Sequence, residues 1–270
     1  MTSALTMDYT LTDDELQIIG MRVGIQDFPV VLGVRPRYGT VDALTTAFDR
    51  ATRSLVSRGL ITDGAIEPEL VPLLHALHRP HRELAMRLVT PDGMARVTIV
   101  RRGDLEVVAR RLGNDITLRV LDGPADLSAV TRALLGELPR AQAVQFTPVP
   151  APLEAVGSYL VGTHDAAQLA DRIRALGAEP RTAMTLGAAL AARAAFAEIV
   201  YYALLSDEDR ITRQPAAVGV FYTKHGRIVG APSVSPSGQL WTTLKPGSDH
   251  ALGQAVNQLV ELSAERWERR

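Results

Sequence analysis

Three histidines, His75, His78 and His81, recur at three-residue intervals, and this is the one spacing in the chain that suggests a metal site, because His75 and His78 would share a helix face. Pro80 breaks that helix before His81, cysteine is absent, and no close pair of acids completes a shell. Helix-edge histidines bonded to backbone carbonyls fit these residues better. Two acidic runs, Asp13-Asp14-Glu15 and Asp207-Glu208-Asp209, offer carboxylates for acid–base work or a cation. The first is read as charge at a helix N-terminus, where an anion is stabilised by about 0.3–1 kcal/mol. The second is read as a solvated loop between strands, since it lacks the alternating ligands and turn glycine of a calcium loop. There is no Gly-x-Ser-x-Gly elbow, phosphate-cradling loop or dinucleotide fingerprint. Arg101-Arg102 and Arg110-Arg111 place cations on strands, where cross-strand ion pairing is the simpler reading. The residues point away from catalysis, and neither cofactor nor metal is expected.

The elements that position these residues are legible from periodicity and caps. Thr12 with Glu15 makes a capping box ahead of Leu16, Ile19 and Val23 at helical spacing. Phe28 to Val34, apolar and rich in β-branched residues, reads as a first strand closed by Pro36 and Gly39. A helix follows Thr40, carries Leu44, Ala47, Phe48, Ala51 and Leu55 on one face, and ends at Gly59. Another starts near Pro68, buries Leu70, Leu73, Leu74 and Leu77, and stops at Pro80. The period then becomes two, with strands expected over 84–90, 94–102, 104–111 and 115–121 and a closing helix after Gly123-Pro124 and Asp126. The same plan recurs downstream. Residues 164–192 are Ala-rich and helical, broken around Gly177 and Pro180, and strands over 196–205, 216–223, 226–231 and 239–244 precede a helix introduced by Pro246, Gly247 and Asp249.

These elements predict an α/β (α+β) fold of two pseudo-twofold-related halves, each a meander sheet with helices, together forming one compact domain. The halves are expected at 1–144 and 153–270, joined by a Pro-rich linker at 145–152 that carries Pro148, Pro150 and Pro152. With 270 residues, 46% hydrophobic and 22% charged, the chain has the composition of a soluble globular protein with a substantial core. Its 29 basic and 30 acidic side chains leave a net charge of −1, which gives no field for nucleic acid or an anionic membrane. Ala183 to Leu205 is apolar but holds Arg193 and Glu198, so it reads as a buried helix and strand instead of a membrane span. The N-terminus, MTSALTMDYTLTDDE, lacks the basic and apolar regions of a secretory signal, and the absence of cysteine fits a reducing compartment, so a cytoplasmic location is expected.

The closing segment VGVFYTKHGRIVGAPSVSPSGQLWTTLKPGSDHALGQAVNQLVELSAERW holds a tight turn at His225-Gly226 and the run Leu244-Lys245-Pro246-Gly247-Ser248-Asp249. It resembles the end of the EspG family, the secretion-associated chaperones of type VII (ESX) systems. The likeness extends to Phe28-Pro29-Val30-Val31-Leu32, Leu60-Ile61, Arg87-Leu88-Val89 and Arg101-Arg102. The resemblance implies a binding protein with no catalytic residue, metal or cofactor. It implies a cytosolic chaperone that binds the apolar tip of the PPE subunit in PE–PPE heterodimers and keeps it soluble for export. It also implies a groove between a sheet face and the C-terminal helical bundle. That groove maps onto Thr90, Pro91, Asp92 and Gly93 and onto Met184, Leu186, Leu190 and Phe196, although the last four would equally be core. Two other readings stay open: a small-molecule sensor or enzyme using the histidine cluster and a sheet cavity, and weak homodimerisation through a sheet edge beside an otherwise monomeric state.

Overall fold

The Thr12 hydroxyl accepts from the Glu15 amide (3.2 Å) and the Glu15 carboxylate accepts from the Thr12 amide (2.8 Å), so the capping box forms as its residues require. A computed structural model describes residues 8–123, 126–205 and 208–268. Among these residues it separates into two compact units, residues 8–85 with 95–123, and residues 86–94 with 126–205 and 208–268.

The first unit runs β1 (Tyr9–Thr12), α1 (Asp13–Arg22), a 3-10 turn at Val30–Leu32, α2 (Val41–Ser57), the small hairpin β2 (Ile61–Thr62) and β3 (Ala65–Ile66), and α3 (Leu70–His78). It continues with β4 (Arg82–Thr90), β5 (Gly93–Arg102), β6 (Leu105–Leu112) and β7 (Asp115–Val120), in the sheet order β1-β7-β6-β5-β4. One sheet face carries Val107, Ala109, Ile116 and Leu118, and the helices bury Leu16, Ile19, Leu55, Leu70 and Leu74 against it.

The expected strand over Phe28–Val34 is corrected by the structure. Gly33 takes a left-handed φ of 60°, and the carbonyls of the run are claimed by arginine side chains from the sheet. Arg111 Nη1 donates to the carbonyls of Leu32 (2.8 Å) and Gly33 (3.2 Å), and Arg96 Nη1 donates to that of Val31 (3.4 Å). With those acceptors satisfied by side chains, the run needs no neighbouring strand.

The second unit holds the tip of the β4–β5 hairpin, then α4 (Leu127–Gly136), β8 (Val149–Pro152), α5 (Leu153–Tyr159), α6 (Ala166–Ala175) and α7 (Pro180–Ala191). After these come β9 (Arg193–Leu205), β10 (Arg210–Arg213), β11 (Val218–Thr223), β12 (Gly226–Val234), β13 (Leu240–Pro246) and α8 (Asp249–Glu261). The strand order is β9-β11-β12-β13-β8, with β10 paired to the far end of β9. The apolar stretch from Ala183 divides into α7 and β9, and no helix among the described residues is long and apolar enough to cross a membrane.

The second half of the stretch 145–152, read from sequence as a linker, belongs to this sheet. Val149–Pro152 pairs antiparallel with Trp241–Leu244, and the Val144 amide already donates to the Arg227 carbonyl (3.1 Å). Helix α4, expected in the first half, lies in the second unit. Its Thr131 and Leu135 come within 4.0 Å of where a Cβ on Gly253 of α8 would sit. Of the turn expected ahead of it, Pro124 lies outside the described residues, while Asp126 caps the helix through the Ala129 amide (2.7 Å).

The signature glycines of the closing segment have a packing reason. A Cβ on Gly226 would meet the Gln142 carbonyl oxygen at 2.6 Å, and one on Gly247 would meet the Arg227 carbonyl oxygen at 2.5 Å. Arg227, buried, donates Nε to the Gly247 carbonyl (2.6 Å) and Nη2 to Asp249 at the start of α8. Similarly, Gly187 of α7 leaves room for the Ala166 carbonyl oxygen, 2.6 Å from a would-be Cβ, so α6 and α7 meet at backbone distance.

Candidate functional site

A single row of cross-strand neighbours in the second unit runs Glu198–Gly219–Gly230–Leu244 across β9, β11, β12 and β13. Two adjacent glycines leave that face without side chains in the middle of the row, and glycine inside a strand marks a close approach or a depression. Phe196 and Phe221 stand beside it, their rings tilted with centroids 5.0 Å apart. Helix α5 and the loop after it add Val156, Leu160 and Val161 to the lining, and α7 adds Leu190. The result is an open, largely apolar groove of about 500 Å³. Phe196 and Val161 are exposed within it, so apolar surface meets solvent there, while Val156, Leu190 and Leu244 belong to the buried core beneath.

Its charge is placed at the margins. The Glu198 carboxylate accepts from Arg87 on the hairpin tip (2.8 Å) and from Arg213 on β10 (3.3 Å). Arg193 also lines the groove and donates to the carbonyls of Leu190 (3.1 Å) and Thr163 (3.3 Å).

The residues mapped from sequence distribute unevenly. Leu190 and Phe196 line the groove, but only Phe196 is exposed there: Leu190 is buried in the same core as Leu186, Leu169, Ile173 and Ala183. Met184 is 68% exposed on α7 but does not line the groove. Thr90, Pro91, Asp92 and Gly93 form the hairpin tip, where the Thr90 hydroxyl donates to the Gly93 carbonyl (3.2 Å), and they do not line it either. Val89 and Met94 flank that tip as exposed apolar side chains.

The histidines do not converge. His78 Nδ1 meets the Asp27 carbonyl at 2.9 Å, and His81 Nδ1 accepts from the Gly103 amide at 3.2 Å. Burial, with Arg82, Arg102 and Arg101 nearby, holds the His81 imidazole below its ordinary pKa, in keeping with a ring nitrogen that accepts. Among the described residues no three His, Cys, Asp or Glu side chains are grouped to hold a metal ion. Of the acidic runs, Asp13 is buried against Arg111 (2.6 Å), and Glu15 accepts from Ser54 (2.6 Å) and Arg58 (3.2 Å). Burial works against the charge on Glu15, but the bonds from Ser54 and the Thr12 amide, with Arg58, hold its pKa below the usual value. Asp207 lies outside the described residues, and Glu208 pairs with Arg210 (2.6 Å) in the turn between β9 and β10.

The model of the EspG family matches residues 12–258 of the chain. The chain belongs to the EspG family. The ESX-1 secretion-associated protein EspG1 of Mycobacterium marinum is 28% identical over 256 residues, spanning 93% of this chain and 87% of that one. The ESX-3 secretion-associated protein EspG3 of Mycolicibacterium smegmatis is 26% identical over 255 residues, spanning 93% and 85%. Among solved structures, the Mycobacterium tuberculosis type VII secretion system chaperone EspG5, in complex with the PE25–PPE41 dimer, shares the fold. Its TM-score is 0.79 over 94% of this chain and 96% of that one, at 18% sequence identity. This EspG-family chain therefore has the mixed fold of helices and antiparallel sheet expected from its sequence.

Sequence reading missed Phe221, Gly219, Gly230 and the α5 wall. The signal lay in Val218-Gly219-Val220 and Val229-Gly230-Ala231, two glycines inside strands without a turn to explain them.

Proposed function

We propose that this chain is a chaperone of a type VII (ESX) secretion system. In this reading it binds the apolar tip of the PPE subunit of a PE–PPE heterodimer and keeps the pair soluble until export. It is a cytoplasmic binding protein that carries out no catalysis. The observation that carries the reading is the groove: exposed Phe196 beside Phe221, their rings lying over Gly219 where it pairs with Gly230. Membership of the EspG family supports it, as does the shared fold of a chaperone solved with a PE–PPE dimer. Shielding is the chemistry such a surface offers, since an apolar tip aggregates until it is covered. Phe196, Phe221 and Val161 would contact the tip over a base that includes Leu190, and Met184 with the hairpin Thr90–Gly93 would add contacts beyond the groove.

The test is co-expression with PE–PPE pairs from the same genome, followed by size-exclusion chromatography. A 1:1:1 complex is expected with at least one pair. Gly219→Val should abolish it while the protein stays folded, because a Cβ at Gly219 sits at ordinary contact distance (3.5 Å) from the Phe221 ring, and the added methyls displace the Phe196 and Phe221 rings that the tip would meet. A complex that survives Gly219→Val and Phe221→Asp unchanged would overturn the reading.

A further inference from the structure

Strict alternation along β9 would turn Arg193 away from the groove. Phe196 and Glu198 line the groove while Ala197 and Ile199 are buried in the core, so the odd positions of β9 belong to the opposite face. Between the pairs Tyr222–Ala195 and Thr223–Arg193 the register slips by one residue, with Ala194 left over, and Arg193 emerges among the groove-lining side chains. A bulge of this kind re-aims a side chain at the cost of ladder regularity.

The re-aimed guanidinium is also held in place. Nη1 donates to the Leu190 carbonyl (3.1 Å) and Nη2 to the Thr163 carbonyl (3.3 Å), with His164 Nε2 3.3 Å from Nη2. Five N–H donors outnumber these acceptors, so the fork is oriented and keeps donors to offer. Among the described residues, no carboxylate pairs with it. The other charged residue of the groove, Glu198, is already bound by both Arg87 and Arg213. Of the two charged side chains that line the groove, Glu198 is therefore ion-paired and Arg193 has no carboxylate partner among the described residues.

We propose that Arg193 determines client specificity by taking an Asp or Glu carboxylate of the docked protein segment, which therefore carries an acidic residue beside its apolar tip. The proposal rests on the chaperone reading of the groove. A segment without that acid would cover the guanidinium and leave it desolvated and unpaired, which is strongly unfavourable, whereas an acid at the right place forms a charge-assisted bond to a preset fork. Arg193 would discriminate among segments that are equally apolar.

The experiment measures affinity of the full chain for a PE–PPE heterodimer that it binds, at low and moderate salt, for wild type, Arg193→Gln, Arg193→Lys and Phe221→Asp. Arg193→Gln should weaken binding tenfold or more and flatten the salt dependence, and Arg193→Lys should fall between the two. One acidic residue at the PPE tip, changed to its amide, should cost as much against wild type and nothing further against Arg193→Gln. If Arg193→Gln fails to fold, changing that acid to Lys against the wild-type chain should still cost more than tenfold. Binding by Arg193→Gln within twofold of wild type, with Phe221→Asp inactive, would overturn the role of Arg193 and leave the groove reading intact. Unchanged binding by Phe221→Asp would overturn both.

Discussion

Buried charged residues of the first unit set its expected response to pH and mutation. Burial pushes Glu83 up to about 7, only partly opposed by the Thr98 hydroxyl that donates to it at 2.8 Å. Between its ordinary 4.5 and about 7 the folded chain holds more protons than the unfolded one. The contribution of Glu83 is therefore fully present below the lower value and is lost as pH rises through the upper. Glu15, held below its usual value, behaves oppositely: its contribution is lost only as pH falls below the ordinary carboxylate range. Urea unfolding at about pH 5 and about pH 8 should show Glu83→Gln removing a swing of roughly 2.5 kcal/mol. A second expectation concerns Asp13 and Arg111, each only 3% exposed at the side chain and 2.6 Å apart. Asp13→Ala strands the guanidinium and should cost about 3–5 kcal/mol in the same assay, and replacing both residues by apolar ones should recover part of it. The acidic run was legible as a helix start from Thr12 and Glu15. That Asp13 and Glu15 also anchor tertiary contacts was not legible, because their partners Arg111 and Arg58 lie far along the chain.

Local chemistry wrote some elements plainly and left others unmarked. Helix α2 begins at Thr40, whose hydroxyl accepts from the Ala43 amide (3.2 Å), and Gly59 follows it with a φ of 72°, as the sequence pattern requires. The 3-10 turn at Val30–Leu32 carried the composition of a strand, and only the distant Arg96 and Arg111 decide otherwise. Strand β8 was hidden for the opposite reason, since Val-Pro-Ala-Pro reads as a linker until Trp241–Leu244 supplies its partner. Those prolines have a consequence. On an edge strand Pro150 and Pro152 present no amide outward, so a further strand finds no donors there. Pro150→Val with Pro152→Val should leave the fold intact and raise self-association in sedimentation velocity, while the wild type does not associate through this edge.

At the scale of the molecule, the closing segment carried the family because its glycines are fixed by close backbone approach, with Gly226 against Gln142 and Gly247 against Arg227. The groove was less legible. Leu190 and Phe196, named from the apolar pattern of α7 and β9, border the groove, but the same pattern drew in Leu186, and Leu186 and Leu190 are both buried in the core. A residue's face depends on register, and the slip that turns Arg193 into the groove leaves no mark in the sequence. The central claim is that this groove receives the PPE tip, and hydrogen–deuterium exchange of the free and bound chain tests it most directly. On adding a bound PE–PPE heterodimer, backbone amides of residues 153–162, 193–199 and 217–222 should gain protection. Protection confined to the first unit, with these segments exchanging as in the free chain, would contradict the account.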